Sequence, residues 1–173
     1  MTALIRIDRS LTPGTASDRQ KPIRFCSRCG HPSEQPAKHN ERFPRERVCG
    51  RCGMGLMLTC AREALPGTAA AFAVVTFDLR LSAVSEAGEK IFGPEQKLVG
   101  APLLDVLTSP MGDDRLVRHT GQAAQRACEP VVLPVRLATA DPAGVGTMAA
   151  RIATCGPPRA ALITVEPSDF GKR

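Results

Sequence analysis

The chain changes its hydrophobic rhythm once, near residue 70. Before that point apolar residues come in short runs separated by polar stretches. Ile23-Arg24-Phe25, Arg45-Glu46-Arg47-Val48 and Leu56-Met57-Leu58 are each the right size for one small strand. Residues 1–21 read as a tail dominated by Arg, Asp, Ser, Thr, Pro and Gly, with a turn at Pro13-Gly14; Leu4-Ile5-Arg6-Ile7 is long enough for a strand, but none is expected there. From residue 70 alternation sets in. Phe72, Val74 and Thr76 point one way and Ala73, Val75 and Phe77 the other, which predicts a strand covered on both faces. Asp78-Leu79-Arg80 turns into a second strand, Leu81 to Val84. Ser85 is a helix N-cap, with Glu86 and Glu89 in the first turn and Ala87, Ile91 and Phe92 on the buried face, up to Gly93-Pro94. A further turn spans Glu95 to Gly100, and Leu103, Leu104, Val106 and Leu107 make a third short helical piece. Asp113 or Asp114 caps a longer helix over about 115–127, with Leu116, Thr120, Ala123 and Ala127 on one stripe. Three strands close the pattern. They carry Val131 to Leu137, Met148-Ala150-Ile152 and Ala160 to Val165, with turns at Asp141-Pro142-Ala143-Gly144 and Gly156-Pro157-Pro158-Arg159. Pro134 suits an edge position, since it has no N–H for a ladder.

The first half holds the clearest chemistry. Cys26-Ser27-Arg28-Cys29 and Cys49-Gly50-Arg51-Cys52 are two Cys-x2-Cys pairs, and nineteen residues separate them. Zn²⁺ takes four soft ligands in a tetrahedron, and each pair delivers two sulfurs to adjacent corners. Gly30 and Gly53 follow the pairs and allow a tight turn that aims backbone N–H groups at the thiolates. The expected site is structural zinc on Cys26, Cys29, Cys49 and Cys52. An iron–sulfur cluster uses the same ligand type and stays open. His31 and His39 in the intervening loop read as surface residues, because four sulfurs already fill the tetrahedron. A module over residues 22–60 is too small to fold on apolar burial alone, so it needs its metal. Cys60 reads as a small buried residue, with a redox partnership as the alternative. Residues 61–69 form a linker, with Leu65-Pro66-Gly67 as the break. The linker is short enough that the two modules touch or keep a fixed relation. Loss of zinc is expected to unfold residues 22–60 and leave the rest folded.

Composition narrows the function. Of 173 residues none is Trp or Tyr, which disfavours aromatic stacking on single-stranded nucleic acid. Residues 1–65 hold 12 Lys and Arg against 6 Asp and Glu, and the remainder is balanced at 11 against 11, so the net +6 sits in the first half. Zinc with four thiolates carries −2 and takes back part of that excess. Arg24, Arg28, Arg42, Arg45, Arg47 and Arg51 are the candidate phosphate contacts if the module binds nucleic acid. No apolar run approaches the ~20 residues of a membrane span. The N-terminus, with Arg6, Asp8 and Arg9, lacks a signal-peptide core. A cytoplasmic location with reduced thiols is expected.

The second half resembles a PAS domain over about residues 70–167. The resemblance rests on Val75-Thr76-Phe77-Asp78-Leu79-Arg80-Leu81-Ser82-Ala83-Val84-Ser85-Glu86-Ala87, then Ile91-Phe92-Gly93, Leu98-Val99-Gly100 and Leu103-Leu104-Asp105-Val106-Leu107. Ser85 stands where the family usually has Asn. The family's Asp-Ile-Thr ending is replaced by Val165-Glu166-Pro167-Ser168-Asp169, with 168–173 as a tail. The fold class this implies is α+β: a PAS-like five-stranded antiparallel sheet with short helices, behind a small zinc-ribbon-like module.

PAS domains bind haem, flavin or metabolites, or bind nothing and pair with proteins, and the fold alone does not choose. His119 is where the family can place an axial haem ligand. The simpler reading is an exposed histidine beside Arg118. A flavin photosensor would need a cysteine in the third short helix, where the chain has Gly100-Ala101-Pro102-Leu103-Leu104-Asp105. Cys128 and Cys155 read as small buried residues. No phosphate-binding loop, nucleophile elbow or kinase segment points to an enzyme, and Asp113-Asp114 is explained by capping. The expectation is a non-catalytic cytoplasmic regulator, a sensor or adaptor with a protein partner, homodimeric through its PAS domain. The alternative is a nucleic-acid-binding regulator that dimerises through the same domain.

Overall fold

A computed structural model describes residues 21–33, 47–139 and 146–167 of the chain. The expected tails other than Lys21, the turn at 141–144, and His39, Arg42 and Arg45 lie outside the described residues.

The strands of the first half are β1 (Pro22–Cys26), β2 (Pro32–Ser33) and β3 (Met57–Ala61). A 3-10 turn at Arg62–Ala64 follows, with Ala64 and Pro66 buried in the stretch expected to be a linker. β4 (Ala71–Val75) and β5 (Leu81–Val84) come next. β4 stops two residues short of the expected Phe77, which lies in the turn and is 69% exposed. The cause is local hydrogen bonding. Thr76 N donates to Arg80 O, Leu79 N donates to Thr76 O, and the Thr76 hydroxyl donates to the Asp78 carboxylate. Those bonds draw the backbone out of the ladder.

Ser85 caps α1 (Glu86–Phe92) as expected, its Oγ accepting from Gly88 N at 3.0 Å. The same Oγ accepts from Phe72 N and donates to Ala70 O, so the cap also ties the helix to β4. α1 ends at Gly93, whose φ of +110° favours glycine. One turn of helix, α2 (Glu95–Leu98), a 3-10 turn at Leu103–Asp105 and β6 (Leu107–Thr108) lead to α3 (Asp113–Gln125). The N-cap of α3 is Gly112, not an aspartate. Asp113 instead accepts from Ser109 N at 2.8 Å, holding the approach to the helix. The buried residues of α3 are Leu116, Thr120, Ala123 and Ala124. Ala127, expected on that stripe, falls beyond the helix and is exposed, because Arg126 has already turned extended.

β7 (Val131–Leu137), β8 (Met148–Gly156) and β9 (Ala160–Pro167) complete the chain's sheet. All pairings are antiparallel. The order is β2-β1-β3-β8-β9-β4-β5, and β7 joins β8 beside β3 while pairing β6 on its other side. β8 is long enough to serve two neighbours on one edge. Val131 to Val135 of β7 pair with its first half, and Thr59 and Cys60 of β3 pair with Gly156 and Cys155 at its end. The five strands expected after residue 70 are therefore present, and the first-half hairpin extends the same sheet rather than standing apart from it.

Alternation along the central strands builds a core on each face. On β4, Ala71, Ala73 and Val75 enter the first core, while Phe72 and Val74 enter the second. On β9, Ala161, Ile163 and Val165 divide from Ala160 and Leu162 in the same way. The first core packs α3 and the short helices against the sheet. The second is closed by Phe25, Leu58, Cys60 and Ala64. Phe25 meets Phe72 edge-to-face with centroids 5.9 Å apart. The hairpin is thus the cover of the second face, and its loss would bare Phe72 and Leu162.

Phe25 is fully buried. Phe25→Ala should destabilise the whole chain by about 3–5 kcal/mol, seen as a lower urea midpoint. A change confined to the hairpin, with the rest unfolding as before, would show that the shared core carries little energy.

Candidate metal centre

β1 runs out at Cys26, and the chain turns back so that Cys26 N donates to His31 O and Gly30 N to Cys26 O. The second pair repeats the pattern: Cys49 N donates to Gly55 O and Gly53 N to Cys49 O. Gly30 and Gly53 have φ of +69° and +70°, the left-handed conformation the spacing predicts. The N–H groups that reach sulfur are, however, those of other residues. Arg28 N and Cys29 N donate to Cys26 Sγ at 3.3 and 3.4 Å, and Gly55 N donates to Cys52 Sγ at 3.4 Å. Ser27 stitches the two turns together, with its N donating to Leu56 O and its Oγ accepting from Leu56 N.

The four expected ligands converge. Cys26 Sγ lies 3.6 Å from Cys52 Sγ and Cys29 Sγ 3.9 Å from Cys49 Sγ, and all four sulfurs lie within 4.8 Å of one another. A tetrahedron with metal–sulfur bonds of ~2.3 Å has edges of about 3.8 Å. The cluster fits one ion. A multi-iron cluster, in which the sulfurs bind different irons, would hold them farther apart.

Burial pushes the Cys26 thiol up to about 12 and raises Cys29 as well. The N–H groups of Gly55 and Met54 draw Cys52 down to about 6. Four sulfurs this close cannot all be thiolates without a cation among them, and a divalent ion supplies that charge.

Gly55 is the residue that the spacing of the cysteines does not reveal. A Cβ there would land on Cys26 Sγ and come within 2.9 Å of Arg28 Cβ. Its signal in the sequence is only a second glycine after Cys52.

Arg28 connects the centre to the helices. Its Nη1 lies 2.9 Å from Glu95 Oε2 and its Nη2 3.5 Å from Glu89 Oε2. Its carbonyl accepts from Glu86 N at 2.8 Å, at the start of α1. Glu95 in turn accepts from Val84 N, and Glu89 from Glu95 N. Among the other arginines singled out for phosphate, Arg24 is 7% exposed, and Arg47 and Arg51 are at the surface, the latter 3.1 Å from His31 Nδ1. His31 is half-buried and outside the sulfur cluster. His119 is half-buried on α3, between exposed Arg118 and buried Thr120, and is not part of the sulfur cluster. Cys60 and Cys155 are buried as expected, whereas Cys128 is exposed, because it lies past the end of α3.

Beside the centre is an open cleft of about 750 Å³, bordered by Cys29, Cys52, Arg51, Lys90, Ile91 and Val165. Among the described residues no helix is long and apolar enough to cross a membrane. Compared with family models and with curated proteins, the chain matches none.

Cys29→Ser and Cys52→Ser should each lower the metal content per chain, measured by elemental mass spectrometry; full occupancy in both would remove the four-sulfur site. Gly55→Ala keeps all four sulfurs and should still lose metal, because the added methyl displaces Cys26 Sγ. Binding requires all four thiols to be deprotonated, so protons compete and metal should leave as pH falls. A colorimetric chelator follows that release, and retention that does not change with acidity would contradict thiolate ligation.

Proposed function

We propose that this chain is a non-catalytic cytoplasmic regulator, in which a zinc-ribbon-like module and a PAS-like sheet act together as a sensor or adaptor for a protein partner. The observation that carries the reading is the link made by Arg28. It sits between two cysteines of the metal centre and is bound to the first turn of α1 through its carbonyl and to Glu89 and Glu95 through its guanidinium. A shift of α1 or α2, caused by a ligand or a neighbour, would be passed directly to the metal-bound turn.

The element order supports the PAS resemblance: two strands, short helices, a longer helix, then three antiparallel strands. Zinc is the ion the four-sulfur geometry favours, and four sulfurs leave it no open position for a substrate. Its role is then to hold the two turns. The outward side of the second turn shows Val48, Met54 and Leu56, which are 49%, 67% and 54% exposed, and Val48 pairs with Leu56 across the turn. These are the residues a partner would cover. Phosphate binding is the weaker reading, since Arg24 is buried and Arg28 is held by two carboxylates.

Native mass spectrometry beside a denatured spectrum tests the assembly. The expected result is a dimer with one zinc per chain and no organic ligand. Added mass of haem or flavin would make the protein a cofactor-based sensor. For the adaptor itself, affinity capture with the full chain should recover a partner that is lost with Arg28→Ala at unchanged zinc content. Recovery of no partner that depends on both halves would end the adaptor reading.

A further inference from the structure

The ladder joining β3 to β8 is two residue pairs long, Thr59 with Gly156 and Cys60 with Cys155. The second pair sets two thiols opposite one another at the seam between the metal-binding hairpin and the rest of the sheet. They are 4% and 3% exposed, and both belong to the second core. Opposed residues of an antiparallel pair have Cα atoms about 4.5–5.5 Å apart and side chains on one face. A disulfide accepts Cα separations of about 4.4–6.8 Å. The backbone therefore already has the spacing a bridge needs. Of the seven cysteines, four form the metal cluster and Cys128 is exposed elsewhere, so this pair has no other assigned task.

We propose that Cys60 and Cys155 are a dithiol that closes to a disulfide across the β3–β8 seam, with a low-molecular-weight disulfide as oxidant. One thiolate attacks the small disulfide, forming a mixed disulfide and expelling one small thiolate. The second protein thiolate attacks the protein-side sulfur of that mixed disulfide and expels the other. The protein loses two electrons and two protons, and two small thiols leave carrying them.

The fold gates the step. Burial pushes both thiols up to about 12, and the neighbouring Cys60 adds to the shift at Cys155. At neutral pH the closed seam therefore holds two protonated, shielded thiols. Reaction waits for a local opening of the two ladder pairs. Once formed, the bridge ties residue 60 to residue 155 and fixes the hairpin on the second core, whether or not metal is bound.

The test uses the metal-loaded chain carrying Cys128→Ser, which leaves the pair as the only thiols outside the cluster. It is incubated with oxidised glutathione at mildly alkaline pH, quenched in acid, alkylated and mapped without reduction. The expected product is a peptide containing Cys60 linked to one containing Cys155, lighter by two hydrogens, with metal content unchanged and a higher thermal midpoint. In Cys60→Ala on the same background the link should vanish and Cys155 should carry glutathione. The proposal is overturned if Cys60 and Cys155 are both recovered as alkylated thiols, if each carries its own glutathione, or if either is joined to a cysteine of the metal cluster.

Discussion

A sheet whose two faces are both apolar must be covered twice. On one side of β4, β8 and β9 the cover is α3 with the short helices, and on the other it is the β1–β3 hairpin. The hairpin is the weaker cover. It brings Phe25 and Leu58 but has too little apolar area of its own to hold its shape. Its turns are instead held by four sulfurs within 4.8 Å of one another, which need a cation to be stable as thiolates. A cation closing that cluster would be the constraint on which the second core, and through it the registry of β3 on β8, depends.

That dependence changes what the metal centre means. A separate zinc module on a linker would fold and unfold by itself. Here the turn that carries Cys26 and Cys29 supports a strand of the common sheet, and Arg28 binds it to α1 and α2. Ser85 provides the matching tie on the other side, bonding both Phe72 N and Gly88 N. The cysteine cluster, hairpin, β4 and α1 thus form one connected unit. The short β3–β8 ladder is the seam in it, and the place where a covalent bond would matter most.

Much of the local structure was legible in the residues. The Cys-x2-Cys-Gly repeats located the four clustered cysteines and the left-handed glycines, because a four-sulfur site demands both residue type and spacing. Ser85 and Gly93 bounded α1, because a cap and a positive φ each select few residues. Alternation over residues 72–75 correctly implied a strand buried on both sides. The misses were also physical. Phe77 continued the alternation but was drawn into a turn by the hydrogen bonds of Thr76 and Asp78. Asp113 had the chemistry of a cap but found Ser109 N instead. Ala127 kept the helical period beyond the point where the backbone left the helix.

The sequence by itself determined which four sulfurs cluster, where the longer strands and the helices α1 and α3 lie, and that the class is α+β with an antiparallel sheet. Each of these follows from spacing, periodicity or capping within a few residues of chain. It did not determine the two-residue strands β2 and β6, and Leu107, expected in a third short helical piece, lies in β6. Only the tertiary structure decided that β3 lies against β8, that Phe25 rests on Phe72, that Gly55 makes room for Cys26 Sγ, and that Arg28 bonds to Glu89 and Glu95. These contacts join residues far apart in the chain. Their partners are selected by which faces remain uncovered once the local elements exist, and no local pattern carries that information.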